Sequence, residues 1–363
     1  MLELIRTKPG LTSDGKPFDW YVRKMVEEGV CWLECIRSDV LGVARPLEVY
    51  RAVRRGNLIT PWPRSDDAES YCPAHWADVK IGCGACGFRC LRCFLMLTHR
   101  VKCDPSRHLL YENVEDFEKA VRRWLLKPNR RNLGLGIDCS DSLLYEGVTG
   151  HARRFIPLFA KPETNPTAAK LILLTKSGNT KYLRGLPTRN VVVSFSLNPE
   201  PIADLWEGKF DDGVRVTPSI ERRLSASLEA QSMGFETRWR VDPILPVDGW
   251  QAIYGAFFVV ASGNGHRPTR ITLGTYRETQ RSLGTFARRW GLPPMEWEPP
   301  QLKKHGAHYH IRDEDRVVIY ETLKTTIRNA WRGTGHDPVV ALCKEPRAVR
   351  QAVGLDHDVC NCG

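Results

Sequence analysis

Hydrophobic and polar positions follow a repeating order along the chain from Val79 onward. Short apolar segments rich in β-branched residues or glycine alternate with longer segments of helical periodicity, which predicts alternating strands and helices. The predicted strands are residues 79–83, 133–138, 170–176, 190–197, 237–245 and 271–276. The predicted helices are residues 114–126, 148–159, 218–233 and 250–261. Regular alternation of the two predicts an α/β fold with a parallel sheet and right-handed crossovers.

Polar residues follow the predicted strands at one end. Strand two runs into residues 138–142, strand three ends at 175–177, and strand four runs into 194–199. Strand five passes through Arg240 and Asp242. The carboxyl ends of parallel strands meet at one edge of a sheet, and in α/β folds with parallel strands the functional site lies there. We therefore expect a functional site at this edge.

The pattern also predicts elements outside the alternating units. Residues 46–55 predict a short basic helix, residues 315–331 predict the last long helix, and residues 339–343 predict a final strand. Thr217 is the predicted N-cap of the helix that follows it.

Three regions follow from these elements. Residues 1–70 form a mixed N-terminal region, residues 71–280 form the core, and residues 281–363 form a basic C-terminal region.

Composition narrows the class of protein. The 363 residues are 42% hydrophobic and 26% charged, as in ordinary globular proteins. No apolar run is long enough to cross a bilayer and no signal peptide is evident, so we expect a cytoplasmic protein without a membrane partner.

Twelve cysteines in such a chain indicate ligands or reactive thiols rather than disulfides. The net charge of +11 favours a polyanionic partner such as nucleic acid.

Three cysteines carry the most specific chemical signal. Cys86, Cys90 and Cys93 have Cys-x3-Cys-x2-Cys spacing, close enough for all three to bind one metal centre. A closed tetrahedral site needs a fourth ligand, which this pattern lacks. In a [4Fe-4S] cluster, three cysteines hold three irons and leave the fourth iron open to another molecule.

Two other metal sites compete with this interpretation. Cys83 with Cys86, and Cys90 with Cys93, are Cys-x2-Cys pairs of the kind that bind zinc. Paired zinc knuckles normally lie about 12–20 residues apart, whereas three residues separate these pairs. A ferredoxin-type cluster would need a further cysteine followed by proline, and none follows here. The spacing therefore favours a cluster with an open iron.

With Phe94 directly after the third cysteine, the motif resembles that of the radical S-adenosylmethionine superfamily. The resemblance implies an open (β/α)6 partial TIM barrel, here with N-terminal and C-terminal extensions. It implies two cofactors, a [4Fe-4S] cluster and S-adenosylmethionine, which together yield a 5′-deoxyadenosyl radical. It also implies a reducing electron donor such as flavodoxin or ferredoxin as a partner.

Within that superfamily, residues 81–276 resemble the spore photoproduct lyase family. The motifs that carry the resemblance are the three-cysteine motif and residues 111–116, 140–141, 148–150, 173–177, 193–199 and 240–244. The family implies that the deoxyadenosyl radical removes hydrogen from a methylene-bridged thymine dimer in DNA. The bridge then breaks, and a cysteine returns a hydrogen to the remaining thymine radical.

The resemblance also implies roles for individual residues. Ser140, Lys176 and Ser196 would help to hold S-adenosylmethionine. Cys139 is the predicted hydrogen donor, as the only cysteine outside the motif that follows a predicted core strand. Alignment on the neighbouring motif puts Asp138 at the donor's place instead, and Asp138 has a second predicted role, binding the ammonium group of S-adenosylmethionine.

Two tyrosines of the repair lyases are absent. The family carries them on either side of the third cluster cysteine to relay the radical, and this chain has Arg92 and Phe94 there. Neither side chain can transfer a hydrogen atom as a phenol does.

A segment after the core mixes cations with aromatic residues, as nucleic-acid surfaces do. The predicted DNA-contacting residues are Lys303, Lys304, Tyr309 and Arg312. A solvated surface is the competing interpretation, and His308 and His310 leave a metal site open.

Three functions therefore remain open from the sequence. The first is a radical enzyme that acts on a thymine-derived base in DNA, for photoproduct repair or related base chemistry. The second is a radical enzyme with a modified nucleoside, small-molecule or protein substrate. The third is a zinc-containing nucleic-acid-binding protein.

Overall fold

A computed structural model of the protein describes residues 27–29, 31–62, 76–83, 86–93, 108–128, 132–210, 212–279, 297–305, 308–355 and 359–363. In chain order its strands are β1 Cys31–Ile36, β2 Leu47–Ala52, β3 Ile59–Pro61, β4 Trp76–Val79, β5 Gly82–Cys83, β6 His108–Tyr111, β7 Asn132–Leu135, β8 Leu171–Thr175, β9 Val191–Ser196, β10 Glu236–Ile244, β11 Arg270–Thr275, β12 Arg277–Thr279, β13 Leu302–His305, β14 His308–Ile311 and β15 Val339–Leu342. Its α-helices are α1 Ser38–Leu41, α2 Val114–Leu125, α3 Glu146–Thr149, α4 His151–Ala160, α5 Glu200–Glu207, α6 Ile220–Ser232, α7 Trp250–Gly263, α8 Asp313–Trp331 and α9 Arg347–Ala352.

One large sheet organises the fold, in the order β15-β11-β10-β9-β8-β7-β4-β3. Every pair is parallel except β3 with β4 at one edge. The predicted α/β class with a parallel sheet is confirmed, and four of the six predicted core strands lie within one residue of their predicted ends, while β7 ends three residues early. The first strand differs: β4 ends where residues 79–83 were expected to begin, because Gly82 and Cys83 pair with β6 in another sheet.

The large sheet curves around a polar interior. Alternate residues of β9 divide between its faces: Val191, Val193 and Phe195 pack in the main hydrophobic core, while Ser194 hydrogen-bonds to Asn361 at 2.6 Å. Period-two alternation explains this division, since successive side chains of a strand point to opposite faces. The apolar face of the sheet is therefore covered by the helices, and the other face encloses polar groups.

Residues 359–363 lie inside this curve and bridge distant strands. Asn132 on β7 donates to the Cys362 carbonyl at 3.3 Å, and Arg270 on β11 donates to the Cys360 carbonyl. Four strand spacings separate β7 from β11, about 19 Å in a flat sheet. Two residues of extended chain span only about 7 Å. With the reach of the Asn132 and Arg270 side chains added, this short segment joins the two strands, which fits a sheet that curves as in a partial barrel; the count of six strand–helix units remains a prediction.

Strands from both ends of the chain complete the large sheet. β3 comes from residues 1–70 and forms one edge, while β15 comes from residues 281–363 and forms the other. The limits of the three predicted regions remain a prediction, but these two strands tie the outer regions to the core.

A second sheet, in the order β1-β2-β6-β5, corrects the predicted basic helix at residues 46–55. The segment forms β2, with Leu47, Val49 and Ala52 buried. Arg51 lies between the carboxylates of Glu34, at 2.8 Å, and Glu112, at 2.6 Å. The arginine therefore joins neighbouring chain segments through ion pairs rather than forming a basic helical face.

The predicted helices are confirmed, with small differences. Residues 148–159 divide into α3 and α4 at Gly150, which has φ of 64°. The predicted N-cap Thr217 is wrong: Ser219 caps α6 and accepts from the Arg222 amide at 3.2 Å. Among the described helices, none has the length and apolar character needed to span a membrane.

Candidate functional site

The three cysteines of the motif lie on a tight loop, residues 86–93, which we call the thiol loop. It turns through hydrogen bonds from the Arg89 amide to the Cys86 carbonyl and from the Cys93 amide to the Cys90 carbonyl, both 3.0 Å. Arg89 has φ of 54°, a left-handed conformation that makes the turn possible. The loop follows β5 closely, so the three thiols are held within one short segment.

Burial and spacing of the sulfurs constrain what the thiol loop can bind. Burial, and next the Asp141 carboxylate, raise the pKa of Cys86 well above its usual value, and burial raises the pKa of Cys90. These thiols therefore need a bound cation to ionise. The charges of Cys86, Cys90 and Cys93 interact, so the three sulfurs lie near one another.

The number of thiols favours a multinuclear centre over a closed zinc site. A structural zinc ion takes four ligands, and the thiol loop offers three cysteines. In an iron–sulfur cluster each cysteine binds a different iron, so three cysteines leave one iron open. Cys86, Cys90 and Cys93 thus fit a cluster better than they fit zinc.

The thiol loop is docked on the end of α5 by backbone hydrogen bonds. The Leu91 amide donates to the Glu207 carbonyl at 2.8 Å, and the Arg92 amide donates to the Trp206 carbonyl at 3.1 Å. Gly208 follows with φ of 86°, and a Cβ there would lie 3.0 Å from the Leu91 side chain. The position of the loop therefore depends on how the end of α5 is held.

A buried ion-pair network holds that end. The Glu207 carboxylate accepts from both terminal nitrogens of Arg223, at 2.9 Å for the first, and from the Thr217 hydroxyl at 2.5 Å. Arg223 is fully buried and also donates to the Ser196 carbonyl at 3.1 Å. Burial alone would raise the pKa of Glu207, but Arg223 and Lys176 outweigh burial and hold that pKa well below its usual range.

Lys176, predicted to hold S-adenosylmethionine, lies beside the thiol loop. Its ammonium group pairs with Glu207, and its positive charge acts on the Cys90 thiol. Its amide donates to Asp141 at 2.7 Å, and Asp141 also accepts from the Thr175 hydroxyl at 2.7 Å. The Asp141 carboxylate thus fixes the end of β8 next to the loop that follows β7.

The predicted donor Cys139 and its neighbour Asp138 belong to a buried cluster with Asp78 and Lys80. The Cys139 sulfur lies 3.9 Å from an Asp78 oxygen, and Lys80 forms ion pairs with both carboxylates. Ligand atoms of the two aspartates and Cys139 lie within 4.8 Å of one another. The lysine already supplies positive charge to this group, so we assign it no metal.

The remaining predicted cofactor residues lie on the inner face and at its edge. Ser196 is the last residue of β9, is 9% exposed, and pairs in register with Arg240 of β10. Ser140 is half-buried in the turn after β7, where its amide donates to the Gly136 carbonyl at 2.8 Å. Both therefore border the same polar interior as Lys176.

The predicted DNA-contacting residues lie on a third sheet, in the order β12-β14-β13. Lys304 and Tyr309 face each other in register, and Lys303 is exposed, 3.9 Å from Asp313. Arg312 differs, since it pairs with Asp315 at 2.8 Å at the start of α8. Lys304 and Tyr309 thus share one face of this sheet, exposed Lys303 points to the other face, and Arg312 is engaged within the chain.

Sequence reasoning missed several residues of this region. Glu207 and Arg223 belong to no sequence motif, because their structural role comes from a contact between helices α5 and α6. The statement that Cys139 is the only cysteine after a core strand is wrong. β15 joins the large sheet, and Cys343 directly follows it. The predicted strand at residues 339–343 was the available signal for Cys343, but the sequence did not show that this strand joins the large sheet.

Comparisons with known proteins bear on the fold. No family model matches the chain, and no curated protein matches its sequence. Among solved structures, spore photoproduct lyase complexed with dinucleoside spore photoproduct matches with a TM-score of 0.61 and 18% identity, over 81% of both chains. A variant of that enzyme with bound AdoMet and the same dinucleoside gives the same values.

A radical S-adenosylmethionine methyltransferase, TsrM from Kitasatospora setae, is less similar. Its TM-score is 0.39 and its identity 13%, over 69% of this chain and 42% of that one. The match with a TM-score of 0.61 shows that the chain has the fold of spore photoproduct lyase, at low sequence identity.

Gly87→Ala tests the packing of the thiol loop. A Cβ at Gly87 would lie 2.0 Å from the Tyr145 hydroxyl and 2.8 Å from Leu47, both within a buried cluster. We expect faster alkylation of Cys90 and a lower melting temperature, because the loop must shift. Gly255→Ala on α7 would place its Cβ in ordinary contact with Thr326 at 4.0 Å and should be neutral or stabilising by up to about 1 kcal/mol. Equal alkylation rates for Gly87→Ala and the unmodified protein would contradict this packing.

Glu207→Ala tests the network beneath the loop. Removing one partner leaves Arg223 buried and uncompensated, so we expect a loss of about 3–5 kcal/mol in the free energy of unfolding. Because the folded pKa of Glu207 is depressed, its contribution is present above the unfolded pKa of about 4.3 and is lost as pH falls below it. The variant should therefore show a weaker acid dependence of urea unfolding. Exposed Glu221→Ala is the control, and an equal effect there would refute the assignment.

Proposed function

We propose that this protein is a radical S-adenosylmethionine enzyme that acts on a thymine-derived base in DNA. The observation that carries the proposal is the thiol loop. It holds three cysteines on one tight turn beside Lys176, and it lies in a chain with the fold of spore photoproduct lyase. The six-unit partial barrel and a reducing, cytoplasmic setting belong to the same proposal.

Cys86, Cys90 and Cys93 would be the ligands of a [4Fe-4S] cluster. Their environment fits the group, because buried thiols with raised pKa values bind as thiolates only where a cation compensates their charge. With S-adenosylmethionine bound, the cluster would supply a 5′-deoxyadenosyl radical. An electron donor such as flavodoxin or ferredoxin would be required.

Several residues of the chain would hold S-adenosylmethionine. Lys176 would hold its carboxylate or ribose, next to Cys90. Ser196 and Ser140 would donate or accept hydrogen bonds from the polar interior. Asp138 is the proposed partner of the ammonium group, in exchange for part of its present pairing with Lys80. Each role predicts weaker cofactor binding when that side chain is removed.

DNA is the proposed substrate, supported by charge and by the third sheet. The net charge of +11 favours phosphate contacts, and the matching solved structure of spore photoproduct lyase holds a dinucleoside photoproduct. Lys303, Lys304 and Tyr309 would contact the strand, with Arg312 a weaker contributor because of its pairing with Asp315. Repair of a thymine photoproduct and other chemistry on a modified nucleoside would both fit.

Metal analysis tests the cluster. Anaerobic reconstitution with iron and sulfide should give about four irons and four sulfides per chain. Cys86→Ala, Cys90→Ala and Cys93→Ala should each lose the iron and the formation of 5′-deoxyadenosine, because three ligands are the minimum. Cys83→Ala should retain both. Stoichiometric zinc without sulfide after anaerobic purification would exclude a radical enzyme and favour the zinc-containing DNA-binding protein.

Salt dependence tests the DNA surface. Binding to a short duplex should weaken with salt, and Lys303→Ala with Lys304→Ala should lower the slope of log K against log salt by about 2. Arg312→Ala should change the slope less, since its charge is already paired. The measurement is fluorescence anisotropy at several salt concentrations. Unchanged slopes in the double variant would remove DNA contact from this sheet.

A further inference from the structure

The carboxyl ends of β10, β11 and β15 bring two guanidinium groups, one carboxylate and one thiol together. Arg240 and Arg277 each donate to the same Asp242 oxygen at 2.7 Å. Both also approach the sulfur of Cys343, Arg240 at 3.4 Å and Arg277 at 4.0 Å. We call these four side chains the arginine–thiol group. They lie near the β15 edge of the large sheet, away from β4.

Strand register places this group on the inner face of the sheet. Ser196, Arg240, Thr272 and Ala341 form one cross-strand row through β9, β10, β11 and β15. Cys343 lies two residues beyond Ala341, so its side chain points to the same face. Its amide donates to the Leu273 carbonyl at 2.8 Å and continues the ladder. The thiol therefore faces the same interior as Ser196.

Two features of β11 shape this group. The Thr272 hydroxyl is fully buried on the inner face and has no hydrogen-bond partner among the described residues. Gly274 lets Asp242 pack directly against β11, since a Cβ there would lie 2.8 Å from the Asp242 carboxyl carbon. An unsatisfied buried hydroxyl costs free energy, which a bound molecule would recover.

The charges of the group select an anion. Arg240 and Arg277 share one carboxylate, which leaves one net positive charge at the edge of the interior. Guanidinium groups bind phosphate and carboxylate oxygens through paired hydrogen bonds. In a nucleotide substrate the matching group is the phosphate between two nucleosides.

The two thiols that follow core strands have different surroundings. Cys139 is buried beside the carboxylates of Asp78 and Asp138, which with burial raise its pKa well above the usual value. Cys343 is half-buried and lies between guanidinium groups. A substrate radical can reach only a thiol that is open to the interior, which favours Cys343.

We propose that Cys343 is the thiol that returns a hydrogen atom to the substrate-derived radical, while Arg240 and Arg277 hold a phosphate of that substrate beside it. This inference rests on the proposed function. The S–H bond of Cys343 breaks homolytically and a C–H bond forms on the substrate, so the unpaired electron passes to sulfur. The sulfur radical then takes one electron from the flavodoxin- or ferredoxin-type donor and one proton from water, which restores the thiol.

Alkylation of the metal-free protein tests the site without activity. With iodoacetamide and peptide mass analysis, Cys343 should react at least about tenfold faster than Cys139, since reactivity follows access. A thymidine dinucleoside monophosphate should slow the reaction at Cys343, and Arg240→Gln should abolish that protection. Faster reaction at Cys139, or protection that S-adenosylmethionine gives and the dinucleotide does not, would overturn the substrate site.

Product analysis in deuterated water tests the hydrogen transfer. Exchangeable thiols carry deuterium there, so unmodified reconstituted enzyme should place solvent deuterium on the repaired dinucleoside photoproduct. Cys343→Ala should still form 5′-deoxyadenosine but lose that label and the normal product. Exposed Cys35→Ala on β1 is the matched control and should behave as the unmodified enzyme.

The remaining outcomes separate the two proposals. If Cys139→Ala loses the label while Cys343→Ala keeps it, the donor role of Cys343 is refuted and the radical chemistry stands. If the unmodified reconstituted enzyme forms no 5′-deoxyadenosine, the proposed function itself fails, and with it the donor role.

Discussion

The buried contact between Glu207 and Arg223 is the constraint on which the site depends. It fixes the end of α5, whose last two carbonyls hold the thiol loop, and it ties α6 to the end of β9 through the Ser196 carbonyl. A buried ion pair adds little stability over apolar packing, but removing one partner leaves an uncompensated charge in the interior. The pair therefore serves mainly to fix positions, because the thiol loop, the end of β9 and Lys176 are all placed relative to the Glu207 carboxylate.

Local patterns carried most of the fold. The apolar segment of β9 and the extents of the longer helices depend on neighbours within a few residues, so the sequence predicted them closely, although it misplaced the cap of α6. The prediction for residues 46–55 was wrong because it weighed the arginines above the period-two alternation of β2, where Leu47 and Val49 point inward. There the pairing partners lie in other segments of the chain, and no local pattern reveals them.

The candidate site shows the same contrast between residues predictable from local sequence and residues that depend on long-range contacts. Three thiols within eight residues constrain their own geometry, so Cys86, Cys90 and Cys93 were readable from spacing alone. Cys343 was not, because its relevance depends on β15 pairing with β11, more than sixty residues earlier in the chain. Glu207 and Gly274 are similar cases: each is a common residue whose meaning lies in what approaches it in space.

The segment 359–363 has a consequence for the order in which the molecule is made. It completes the inner lining of the sheet by contacting Asn132, which was synthesised 230 residues before Cys362. During translation the strands would therefore stand for some time around an open, water-filled core, with Arg238 and Arg270 still hydrated. That interval ends when residues 359–363 emerge and take up those arginines.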